Sequence, residues 1–155
     1  MRVTKMAWAA LVAAGVFTAA CGGSTGDGSE PAVATMRLTI TPAGGAAQVV
    51  NVNSSGVATP ASITLPVNTN ATIASQWLRA DGSADPLVTA TTFRLEVRNL
   101  PGSMTFTRTD NFSGTLRATA AGNFAGGSAP RFELFHIQEN HEDFGPFSVP
   151  VTVTP

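Results

Sequence analysis

From about Val33 onward, apolar residues recur at every second position, and this period of two constrains the fold more than any other feature of the chain. Met36, Leu38 and Ile40 alternate with Arg37, Thr39 and Thr41. Phe93, Leu95 and Val97 alternate with Arg94, Glu96 and Arg98, and Phe147, Val149, Val151 and Val153 with Ser148, Pro150, Thr152 and Thr154. Shorter runs of the same kind surround Met104 and Phe106, and Phe132 and Leu134. Successive side chains of a strand point to opposite faces, so each run reads as a strand with one buried and one wet face. Weaker strands are expected at 47–52, 61–67, 71–79 and 112–119. Pro66 and Pro150 lack a ladder donor and belong at sheet edges or beside bulges. Ala43-Gly44-Gly45, Asp81-Gly82, Pro101-Gly102 and Gly126-Gly127 punctuate the runs as turns. Short strands so spaced, with no helical period among them, predict an all-β antiparallel sandwich of about 7–9 strands.

The first twenty residues follow a different logic. Arg2 and Lys5 precede an apolar run from Met6 to Phe17, and small residues follow at Thr18, Ala19 and Ala20. That is the layout of a cleaved export signal, and it is shorter than the roughly 20 apolar residues of a membrane-spanning helix. Next comes Cys21, the sole cysteine, and a Gly- and Ser-rich stretch over 22–31 with no large apolar side chain. Such a stretch behaves as a coil, with a mean reach of roughly 15–20 Å for ten residues. The expected organisation is an export signal over 1–20, a lipidated cysteine with its tether over 21–31, and one domain over 32–155.

Ala19-Ala20-Cys21 at the end of an export signal resembles the lipobox of bacterial lipoproteins, with Thr18 in place of the usual leucine. The resemblance covers residues 1–21. It implies acylation of Cys21, a membrane anchor and residence at the cell envelope. Gly22, where an aspartate retains some such proteins at the inner membrane, points to the outer one. The domain in turn resembles bacterial Ig-like modules. Leu38-Thr39-Ile40-Thr41-Pro42 is similar to their opening strand, Ala71 to Gly82 (ATIASQWLRADG) to their second strand and turn, and Pro150 to Thr154 (PVTVT) to their last strand. These segments cover about a seventh of the chain, and the disulfide of antibody-type domains is missing. The resemblance implies an adhesive, structural or spacing role without catalysis, and an envelope protein as partner.

Chemistry in the chain is sparse. There is no Gly-x-Ser-x-Gly elbow, phosphate loop, CxxC or HExxH motif. Formal charge is −1, and the part after the export signal has no lysine, which argues against a nucleic-acid surface. No cofactor is implied. One segment stands out: Glu133 to Asp143 (ELFHIQENHED) holds both histidines and half of the eight acidic residues beyond position 31. His136 shares the inward face of Phe132 and Leu134, while His141 and Asp143 fall in the following loop. His136, His141 and Asp143 are thus candidate metal ligands, since imidazole and carboxylate suit zinc, copper or nickel. The same residues also fit a buried histidine that fixes its loop, or a contact with a partner or ligand, and a small-ligand or carbohydrate-binding role for the domain as a whole is a further alternative. On the opposite face, Phe135 and Ile137 would form an apolar docking strip unless the 120–130 loop covers them. Trp77, on the face of Ile73, is expected in the core.

Overall fold

The computed structural model describes residues 30–155. The export segment, Cys21 and nearly all of the tether lie outside the described residues. Among the described residues there are twelve strands and no α-helix. In chain order they are β1 (Thr35–Pro42), β2 (Gln48–Asn53), β3 (Ala58–Thr59), β4 (Ile63–Pro66), β5 (Asn70–Leu78), β6 (Phe93–Arg98), β7 (Met104–Asp110), β8 (Ser113–Ala118), β9 (Gly122–Phe124), β10 (Arg131–His136), β11 (His141–Ser148) and β12 (Val151–Thr154). The long alternating runs become β1, β6, β7, β10, β11 and β12, and the weaker ones β2, β4, β5 and β8.

The strands form an all-β sandwich. A six-stranded sheet in the order β3-β2-β1-β5-β8-β7 makes one layer, and the small sheets β11-β10-β6 and β4-β12-β9 make the other. One hydrophobic core joins all three. It runs from Met36, Leu38, Ile40, Ile73, Trp77 and Leu116 in the large sheet to Leu95, Phe132, Leu134, Phe144, Val151 and Val153 in the small ones. Burial along β1 and β5 alternates residue by residue, which is the period-two pattern realised. Trp77 is 3% exposed and meets Phe144 edge-on, with ring centroids 6.3 Å apart.

Two features depart from the expected architecture. The strand number exceeds 7–9, because β3 and β9 are two- and three-residue segments too short to carry a period and because the run through Phe147 and Val153 is divided between β11 and β12. The pairing of β12 with β4 is parallel, with Val151 opposite Ile63 and Val153 opposite Leu65. Both prolines sit where their missing donors do least harm. Pro66 ends β4 on a sheet edge, and Pro150 immediately precedes β12. At the Asp81-Gly82 turn, Gly82 has φ 83°, and the Asp81 carboxylate accepts from the Ser83 backbone N–H at 2.9 Å.

Candidate functional site

β10 and β11 form a hairpin closed by Ile137–Asn140, and the two histidines are its last cross-strand pair. Asn140 supplies the left-handed residue of this turn, at φ 58°, and donates its backbone N–H to the His136 carbonyl at 3.0 Å. The Ile137 N–H bonds the Thr92 carbonyl at 2.8 Å, which ties the turn to the start of β6. His136 follows Phe132 and Leu134 on the inward face. Its side chain is 15% exposed, and its ring lies 4.6 Å from that of Phe93. Between the pairs Leu134↔Phe144 and Phe135↔Glu142, the register slips by one residue, leaving Asp143 as the extra residue of a bulge. A bulge re-aims a side chain, and here the Asp143 carboxylate comes within 3.7 Å of His136 Nδ1.

Glu139, at the tip of the turn, completes the cluster. Its Oε2 lies 2.8 Å from His141 Nε2 and 3.6 Å from His136 Nδ1. His141 Nδ1 faces Asp143 Oδ1 at 3.0 Å and the Glu142 carbonyl at 3.2 Å. The bond to Glu139, helped by the Glu142 carbonyl and Asp143, raises the pKa of His141 against its slight burial. The bond to His141 holds Glu139 below the usual carboxylate range. Burial pushes Asp143 upward although both imidazoles pull the other way. His136, Glu139 and His141 each place one ligand atom within 4.8 Å of the others. The structure therefore brings together His136, His141 and Asp143 and adds Glu139. Glu139 was legible only as part of the acidic run, because a turn residue has no fixed face.

The expected docking strip does not form. Phe135 is 6% exposed, and Ile137 is half-buried. The arginines of β6 lie over Phe135. Arg94 lies 4.6 Å and Arg98 5.6 Å from the centre of the Phe135 ring. Both are held in place. Arg98 bonds the buried Glu133 carboxylate at 2.6 Å, and Arg94 bonds Glu96 at 2.8 Å, where Arg108 of β7 joins from the other side at 2.8 Å. Burial raises the Glu133 pKa in spite of Arg98. The polar face of β6 is thus a roof of guanidinium groups over an aromatic ring.

A cavity of about 140 Å³ opens beside β5, lined by Ser75, Gln76, Trp77, Ala84, Asp85, Val88 and Phe112. Small-molecule sites usually span about 300–1,000 Å³, so this space is undersized for one. The Asp85 carboxylate is already engaged, accepting from the backbone N–H groups of Ala32 at 2.6 Å and Leu87 at 3.0 Å, and from Arg79 at 3.3 Å. Among the described residues, the hairpin tip is where His, Glu and Asp side chains converge. In comparisons with known proteins, no family model, no curated protein and no solved structure matched the chain.

Proposed function

We propose that the chain is an exported envelope protein, anchored through an acylated Cys21, whose Ig-like sandwich serves as a binding or structural module without catalysis. The observation that carries this reading is the place of the only cysteine, directly after Ala19-Ala20 at the end of an export-signal layout. The all-β sandwich is in keeping with it. Acyl chains contribute about 0.8 kcal/mol per buried methylene, and two or more anchor a protein stably. The tether would then hold the sandwich close to the bilayer, within reach of an envelope partner.

The test is Cys21→Ser. Fatty-acid labelling should disappear, the precursor should accumulate uncut, and the protein should leave the membrane fraction. Labelling that persists in the variant overturns the anchor. A second reading, a metal-binding module, is favoured by the convergence of His136, Glu139 and His141.

A further inference from the structure

We propose that the β10–β11 hairpin tip is a site for a zinc-class divalent ion, with His136 Nδ1, Glu139 Oε2 and His141 Nε2 as ligands and Asp143 orienting His141. The site does not involve Cys21, so it stands or falls independently of membrane anchoring.

The first argument is the hydrogen-bond inventory of His141. Nδ1 faces the Asp143 carboxylate at 3.0 Å and the Glu142 carbonyl at 3.2 Å, both of them acceptors, so it carries a hydrogen. Nε2 faces another acceptor, Glu139 Oε2, at 2.8 Å. A lone pair cannot rest against a carboxylate oxygen at that distance, so a proton lies between them, and it is this proton that a metal ion would displace. Metal-ligating histidines commonly donate their second ring N–H to a carboxylate, which fixes the tautomer and turns the other nitrogen to the ion. Asp143 stands in that relation to His141.

The second argument is metric. With bonds of about 2.1 Å, two ligands of a tetrahedral ion lie about 3.4 Å apart. His136 Nδ1 and Glu139 Oε2 are 3.6 Å apart, close to that value as they stand. Glu139 and His141, at 2.8 Å, need to separate by about 0.6 Å to reach it. Glu139 is 43% exposed and sits on a turn, so it can make that movement. His136 has no such freedom: it packs against the Phe93 ring and is held at the end of β10.

The third argument is chemical selectivity. Two imidazoles and one carboxylate suit zinc, cobalt or copper, whereas calcium and magnesium prefer oxygen ligands throughout. Three protein ligands on a half-exposed turn leave a fourth position for water or for a side chain of a partner.

Calorimetric titration of ZnCl2 into the purified full chain in detergent should give one equivalent bound and a higher melting temperature. CoCl2 should give the visible bands of a four-coordinate ion, and CaCl2 no response. Glu139→Gln and His141→Gln change exposed side chains and leave the sandwich folded, and each should weaken zinc binding at least tenfold. Asp143→Asn should weaken it about 10–100-fold. Wild-type protein that is folded by circular dichroism yet shows neither zinc heat nor a melting shift overturns the proposal. So does undiminished zinc affinity in the folded His136→Gln/His141→Gln double variant.

Discussion

Asp85 shows how much a single side chain can fix in this fold. It is 4% exposed and fastens the segment entering β1 to the loop after β5 through Ala32, Leu87 and Arg79. Burial pushes its pKa up, but the bonds from Leu87, Arg79 and Ala32 prevail and hold it below the ordinary 3.8. The unfolded chain therefore binds the proton more readily than the folded one. The resulting stability is present above the ordinary carboxylate value and is lost as pH falls through the lowered one. Asp85→Asn should be less stable than wild type at neutral pH. Urea unfolding from about pH 6 down to about pH 2.5 should show the gap narrowing toward the acid end. A gap that stays constant across that range would contradict the linkage. Alternation assigned Trp77 and His136 to the inward side correctly, because period two fixes which face a side chain takes. It could not decide Phe135, because period two does not say whether the other face is covered. The arginines that roof it are distant partners in a network with Glu96, Glu133 and Arg108.

At the scale of elements, β11 departs furthest from an ideal strand. Besides the bulge at Asp143, its register slips again between Phe147 and Phe144, around Gly145. Gly145 has φ 105°, and a Cβ there would lie 2.8 Å from the Phe132 carbonyl oxygen. Both the dihedral and the close approach require glycine. Gly145→Ala should cost about 1–3 kcal/mol. Gly102→Ala, in open space with no left-handed φ, should stay within about 0.5 kcal/mol of wild type. Equal melting temperatures for the two variants would show that β11 yields at this point. Neither slip is visible as a break in the sequence pattern. The run through Phe147, Val149, Val151 and Val153 reads as one strand but is divided between β11 and β12, which belong to different sheets. The parallel partner of β12 was equally hidden, since pairing between distant segments leaves no local periodicity.

Over the described residues as a whole, one core unites three sheets, and β10 has four consecutive buried residues. It bonds β6 on one side and β11 on the other. From Phe132 to Phe135 every side chain is buried, with Leu134 in the core and Phe135 beneath the arginines. Amide exchange is slowest where neither edge nor face is open to water. Amides of Phe132–Phe135 should therefore exchange only with global unfolding, while those of Gln138–Asn140 exchange early. Early exchange at Phe132–Phe135 would mean that the arginine roof opens on its own. The enclosure of β10 also sets how the hairpin tip can respond to a bound group. His136 sits at the end of β10, whereas Glu139 belongs to the segment expected to open first and His141 borders it at the start of β11. Capture and release at the tip then become a local event on the timescale of a turn, decoupled from the lifetime of the folded domain.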